Sequence, residues 1–345
     1  MKSASLPSIA VIVPNRNDSR YLPVCLRSVL HQEVKPDELI VVDDQSTDDS
    51  VQVIRSLIQD VPFARVVENR TNLGTYGAID EGLKRSESEY ALFLSSNDFV
   101  LPGIFKRAKS CLAQAPGVGL WSAMAWLVDD QDRLLRLHPS PVVALRDAQL
   151  SPRRCIELAH VLGNWFTGTS LIYRRGTLDE AGRFNKVYMG LSDLFTALIV
   201  AGRHGAVYSP EPFCAIRRHA DSYLARTLAE PERLDDILAR LSEFGGRTAP
   251  ALFTPLFVDR TVARFRFASV RSSDGATLAA IAGRSRGWVR GALDLADRLL
   301  PRAWRRARVT VAFLVLRPFD IVPTIWYRLL GWAWVRLRSR RPARP

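Results

Sequence analysis

The chain has 345 residues, enough for one large domain or two modest ones with an ample core, and its globular composition excludes global disorder. Its formal charge of +13 is uneven: residues 301–345 hold eleven Arg, no Lys and one acid (Asp320), whereas the first 300 residues carry a net of only +3. The four cysteines (Cys25, Cys111, Cys155, Cys214) stand too far apart for a CxxC or metal-ligand pattern, and read as buried free thiols in a reducing cytoplasm.

Residues 8–13 are a short apolar run ending in Pro14, too short for a signal-peptide core and expected to be a buried strand. Residues 21–32 carry Leu22, Cys25, Leu26, Val29 and Leu30 at helical spacing, with Asp18 or Ser19 available as cap. A second apolar strand, 38–42, delivers Asp43 and Asp44 at its end. Residues 46–49 then open a helix whose apolar face is Val51, Ile54, Leu57 and Ile58. Strand 64–67, helix 77–85 and strand 90–94 continue the alternation, and the last of these leads into Asn97-Asp98. Repeated βαβ units predict a mainly parallel sheet with right-handed crossovers. Ligands on such sheets sit beyond the carboxyl ends of the strands, where Asn15, Asp43, Asp44 and Asp98 all fall.

Beyond about residue 115 the pattern is irregular. Strands are expected at 119–128, 169–173, 206–208 and 213–217, and helices at 153–162, 191–201 and 230–243. A Gly-, Ser- and Arg-rich stretch at 272–290 reads as a hinge before the tail. No linker divides the chain and no internal repeat is present.

The ordered set Ile12-Val13-Pro14-Asn15-Arg16-Asn17, Leu39 to Asp48, Asn72-Leu73-Gly74 and Leu94-Ser95-Ser96-Asn97-Asp98 with Pro102 resembles a family 2 glycosyltransferase. Gly190-Leu191-Ser192-Asp193 and Arg218-His219-Ala220-Asp221-Ser222 match the family's later elements, so the resemblance spans residues 8 to about 222. It implies a GT-A fold: an α/β, Rossmann-like, mainly parallel sheet sandwiched by helices. It also implies a nucleotide-sugar donor, a divalent cation (Mg²⁺ or Mn²⁺) and inversion at the anomeric carbon.

On this resemblance the nucleoside is held by Pro14, Asn15, Asn17, Asp43, Asp44, Asn72, Gly74 and Asn97. Asp44 resembles the base-contacting acid; its alternative is to cap the helix that follows. Asp98 resembles the metal-binding end of the acidic motif, with His219 as a further ligand, and such hard cations need only one or two carboxylates beside substrate phosphates. Ser95 and Asn97 stand where the family usually has acids, which lowers the charge of the site. Asp193 resembles the general base of the inverting transfer, and would otherwise be a cap with dipole benefit. Arg217 and Arg218 either meet phosphate oxygens or are solvated. Gly74 and Gly77 either admit the diphosphate or form a turn. Trp165 and Phe166 either stack on an acceptor sugar or pack in the core.

The tail interrupts its apolar runs with Arg317, Pro318, Asp320, Pro323 and Arg328, so it is not expected to span a membrane. Trp326, Leu329, Leu330, Ala333 and Leu337 share one helical face with Arg328 and Arg338 toward the other, the pattern of a helix lying on an anionic bilayer. Four Trp and many aliphatics accompany the Arg, which suits lipid better than nucleic acid, although packing on the body is the alternative.

These readings converge on a glycosyltransferase peripheral to the inner face of the cell membrane. It would take a UDP-, GDP- or dTDP-linked sugar to a glycan or lipid-linked acceptor in surface polysaccharide or lipopolysaccharide assembly. The expected units are a transferase domain at 1–225 (donor half to about 115, acceptor half 116–225), a helical extension at 226–300 and the basic helical tail at 301–345. The rival readings are a non-catalytic sugar-nucleotide or glycan-binding relic of the same fold, and a nucleotidyltransferase.

Overall fold

A computed structural model describes residues 6–138, 140–218 and 231–272, a helix at 322–329, and single residues between 287 and 333. The first half is the expected alternation. Strands β1 (Ile9–Asn15), β2 (Glu38–Asp43), β3 (Ala64–Glu68) and β4 (Tyr90–Phe93) are joined by helices α1 (Leu22–Leu30), α2 (Ser50–Ile58) and α3 (Gly74–Lys84). β1 lies between β2 and β4 and runs parallel to both, and β2 is parallel to β3. The strand order therefore reverses at β1, which opens a crevice at the carboxyl ends of β1 and β4. β1 and β2 are continuous apolar runs because helices cover both of their faces.

Strand β5 (Phe99–Val100) and helix α4 (Ile104–Ala113) follow, then β6 (Leu120–Val128), β7 (Leu134–Leu137), β8 (Ala148–Leu150), α5 (Pro152–Leu162), β9 (Ile172–Arg174), α6 (Arg175–Glu180), α7 (Ser192–His204) and β10 (Ala206–Arg217). One sheet holds all ten described strands, in the order β3-β2-β1-β4-β9-β6-β10-β5, with β7 on β6 and β8 on β10. β9 is antiparallel to both of its neighbours, and β6 and β10 run parallel to each other. Helices α8 (Pro231–Thr248) and α9 (Pro255–Ser272) pack beyond α5 and α7, and Phe253 and Phe257 join their core.

Several boundaries differ from the expectation. The two short strands at 206–208 and 213–217 are one strand, β10, whose pairing with β6 shifts register around Pro212. A bulge lets the strand pass Pro210 and Pro212 without ending. The strand expected at 169–173 begins at Ile172, because Gly168–Ser170 is a 3₁₀ turn. Asp18 does not cap α1 with its side chain, although its carbonyl accepts from the Tyr21 and Leu22 amides. Cys25, Cys155 and Cys214 are buried and all four thiols are free. Among the described residues no helix is long and apolar enough to cross a membrane.

Helix α3 lies close against the sheet at Gly82. A Cβ on Gly82 would stand 2.5 Å from Ile12 Cγ2 and 3.3 Å from Val42 Cγ2, both in buried strands. We expect Gly82→Ala to destabilise the fold by about 1–3 kcal/mol despite alanine's better helix propensity, as strained cores do. Urea unfolding checks this, and an unchanged or raised midpoint would show that α3 is free to lift.

Candidate active site

Asp98 and Asp193 line one cavity of about 250 Å³, together with Pro14, Thr75, Ser95 and Thr169. Each arrives by a different route. Asp98 follows β4 through a tight turn, in which its amide donates to the Ser95 carbonyl at 2.9 Å, and it immediately precedes β5. β5 pairs antiparallel with the end of β10, and that pairing brings the Arg217 amide to Asp98 Oδ1 at 2.8 Å. Thr169, in the 3₁₀ turn before β9, donates its hydroxyl to Asp98 Oδ2 at 2.8 Å. Burial pushes the Asp98 carboxyl up to about 6, against the pull of the Arg217 and Thr169 hydrogen bonds.

Asp193 stands in the first turn of α7, where its Oδ1 accepts from the Leu194 amide at 2.8 Å. Its other oxygen faces Gly168 so closely that a Cβ there would lie 2.7 Å from Oδ2. Glycine at 168 is thus the residue that leaves the carboxylate its place. Burial raises the Asp193 pKa above the ordinary carboxylate range. Tyr76, Phe93, Tyr173 and Phe184 form an aromatic wall, with Tyr76 stacked on Phe184 at 5.6 Å.

The nucleoside residues expected from sequence are gathered at the neighbouring strand ends, and most of their polar atoms knit the loops. Asn15 Nδ2 donates to Asp43 Oδ1 at 2.8 Å, and Asp43 Oδ2 accepts from the Ser46 amide at 3.0 Å. Asn17, in the left-handed region at φ 57°, receives the Thr47 amide on its Oδ1 at 2.7 Å. Asp44 accepts from Asn69 Nδ2 and the Leu73 amide at 2.9 Å each and from the Gly74 amide at 2.8 Å. It therefore caps α3, a helix far along the chain, rather than α2. Asn72 Oδ1 shares the Gly74 amide at 2.9 Å. Gly74 is at φ +74°, a turn glycine whose N–H is already engaged, and Gly77 packs against Leu73.

Arg217 is neither solvated nor at the cavity wall. It is buried, lies over the Tyr21 ring at 4.5 Å, and donates to the Asn97 carbonyl and to Asp132. Trp165 and Phe166 are core residues, with ring centroids 3.8 Å apart and almost no exposure. Asp18, expected only as a cap, accepts from Ser96 Oγ at 2.5 Å and adds negative charge near Asp98. His219, the second expected ligand, lies outside the described residues. Among the described residues no three His, Cys, Asp or Glu side chains converge as a ready metal cage. Asp98 still suits a hard cation, since each of its oxygens accepts one hydrogen bond and a carboxylate can accept about four.

A sheet whose order reverses beside two acids at separate strand and helix ends is an α/β architecture with its crevice at the switch point, where ligands of such sheets bind. Residues 10–110 match the family model described as Glycosyl transferase family 2. The match covers that segment of the chain, and the mixed α/β, mainly parallel sheet flanked by helices has the architecture of the GT-A fold. It is 26% identical over 186 residues to the GalNAc(5)-diNAcBac-PP-undecaprenol beta-1,3-glucosyltransferase of Campylobacter jejuni, covering 54% of this chain and only 57% of that relative's length. Residues 1–349 of S. aureus TarS, solved in complex with UDP-GlcNAc, superpose with a TM-score of 0.60 at 18% identity, over 97% of this chain and 93% of that one. The mannosyltransferase PcManGT of Pyrobaculum calidifontis, solved with GDP-Man and Mn2+, superposes at 0.53 and 18% identity, over 97% and 88%. At these identities the two structures speak for the fold.

Proposed function

We propose that the protein moves a sugar from a nucleotide-diphosphate donor, UDP-, GDP- or dTDP-linked, to a hydroxyl of a glycan or lipid-linked acceptor, with inversion. The observation that carries this reading is the shared cavity of Asp98 and Asp193 beside the crevice at β1. Asp193 takes the proton of the attacking hydroxyl at its carboxylate, held in place by the Leu194 amide and by the absence of a side chain at Gly168. The loop network around Pro14, Asn15, Asn17, Asp43, Asp44, Asn72, Gly74 and Asn97 shapes the nucleoside cradle. A Mg²⁺ or Mn²⁺ ion held by Asp98, with His219 as second ligand, would neutralise charge on the departing diphosphate. The Mn2+ in PcManGT supports a divalent ion. Donor contacts belong to residues up to about 115 and acceptor contacts to 116–225.

Surface polysaccharide assembly at the inner face of the cell membrane is the setting we propose, supported by the undecaprenol-linked acceptor in the name of the Campylobacter relative. The helix at 322–329 supports it too. Val322, Ile325, Trp326 and Leu329 are exposed on one side, while Thr324 is buried toward the body. Leu330, Leu337 and Arg338 lie outside the described residues. We expect Trp326→Glu to lower the fraction pelleting with phosphatidylglycerol vesicles several-fold without affecting soluble donor hydrolysis. Equal pelleting would remove this helix from membrane binding.

The reading is tested by thermal shift with UDP, GDP and dTDP, each with and without Mn²⁺, followed by hydrolysis of the matching nucleotide-sugar. One nucleotide should stabilise the protein by several degrees with Mn²⁺ present, and its sugar should turn over. Binding without any turnover would leave the relic, and release of pyrophosphate would indicate a nucleotidyltransferase.

A further inference from the structure

The start of α7 separates two cavities. Asp193 lines the one already described, whereas Leu194, Phe195 and Leu198 line a second, of about 280 Å³. The loop before β9 is divided in the same way: Gly163 and Asn164 face the second cavity, Gly168 and Thr169 the first. α9 closes the second cavity with Phe257, Thr261, Arg264 and Phe265, and the helix at 322–329 closes it with Thr324 and Arg328. Its volume sits at the lower limit of ligand sites, which begin at about 300 Å³.

Its lining does not suit a bare sugar, which needs many polar partners, because most of the wall is leucine and phenylalanine. Nor does it suit a neutral hydrocarbon. Two guanidiniums enter it and none of the residues lining it is acidic. Arg264 is steadied by the Val161 carbonyl at 2.8 Å. Arg328 reaches the same wall from the helix at 322–329 with Arg136 nearby, so an anion here would offset like charge. Thr261 Oγ1 is buried at the wall with no hydrogen-bond partner among the described residues. Apolar walls with two cations and an unfilled hydroxyl describe a site for an amphiphile with an anionic head.

We propose that this cavity seats the phosphate-bearing hydrocarbon end of the acceptor, its phosphate against Arg264 and Arg328 and its chain against Leu198, Phe257 and Phe265. The inference rests on the transferase reading and names its acceptor class, a lipid phosphate. The rest of the acceptor extends past the first turn of α7 to Asp193. The helix at 322–329 links the two settings, with Arg328 at the cavity and Trp326 and Leu329 exposed outward.

Isothermal titration of the full chain with decyl phosphate, below its micelle concentration, tests the site. Decanol and inorganic phosphate serve as half-ligands, and UDP, GDP and dTDP with Mn²⁺ run as a parallel series. Decyl phosphate should bind at least tenfold tighter than either half-ligand. Arg328→Gln should weaken it about tenfold, equivalent to about 1.4 kcal/mol, and the cavity-filling Thr261→Phe should abolish it, with nucleotide binding unchanged in both. Decyl phosphate binding no tighter than decanol or inorganic phosphate, or binding unaffected by Arg328→Gln, overturns the proposal. Nucleotide binding without decyl phosphate binding sinks the acceptor site alone; loss of both sinks the transferase reading with it.

Discussion

Asp193→Asn abolishes glycosyl transfer while the affinity for the nucleoside diphosphate stays within about twofold. The substitution keeps shape and the Leu194 contact but removes the oxygen that takes a proton, and a positioned general base contributes about 10²–10⁴ in rate. Its effect therefore falls on kcat and kcat/KM together, with little change in donor KM. Gly168→Ala should reproduce much of the loss without touching the carboxylate chemically, because the new methyl displaces Oδ2. The pH profile carries the same signature. Burial holds the proton on Asp193 to higher pH than an ordinary carboxylate, so the wild-type rate climbs as pH rises through that raised pKa. A variant that loses donor affinity in parallel with rate would make Asp193 a structural cap instead.

Asp98→Asn removes the response to Mn²⁺ and, without metal at neutral pH, leaves the fold more stable than the wild type. The first effect follows from charge: an amide is a poor ligand for a hard cation, Ser95 and Asn97 are not acids, and Asp18 is already bonded to Ser96 Oγ. The second follows from burial. A carboxyl pushed from its ordinary value up to about 6 prefers the neutral form when folded, so the wild type loses stability as pH rises from about 4 to 6. Across that interval the loss accumulates at about 1.4 kcal/mol per pH unit, to a total of about 3 kcal/mol. An asparagine never ionises and escapes it. Cation binding requires the ionised form, so wild-type affinity for Mn²⁺ should fall about tenfold per pH unit below 6. Thermal melts of both proteins at pH 4.5 and 7.5, with and without Mn²⁺, measure all of this. A variant less stable than the wild type at pH 7.5 without metal would show that the Arg217 and Thr169 bonds already hold Asp98 ionised.

The parallel half of the sheet was readable because buried parallel strands are continuous apolar runs between amphipathic helices, as at Ile9–Asn15 and Glu38–Asp43. β10 was harder, since Pro210 and Pro212 mark a break by local rules, and only its pairing with β6 overrides them. β5, β7 and β8 have two to four residues, too few for any period to show. Asp98 and Asp193 were named from their motifs, but their environments were not. The contacts from Thr169 and Arg217 to Asp98 span 71 and 119 residues, a separation no local pattern encodes. Asp44 shows the opposite limit: its position pointed to a ligand or a cap, and its partners turned out to be the amides that start α3.

Two acids from opposite halves of the chain line one cavity, and the proposed function puts a single diphosphate between them. Anomalous diffraction from crystals grown with Mn²⁺ and the nucleotide that gives the largest thermal shift tests it most directly. A manganese peak against Asp98, with the diphosphate in the cavity that Asp193 lines, is the predicted result. A nucleotide bound elsewhere, with no peak beside Asp98, would contradict it.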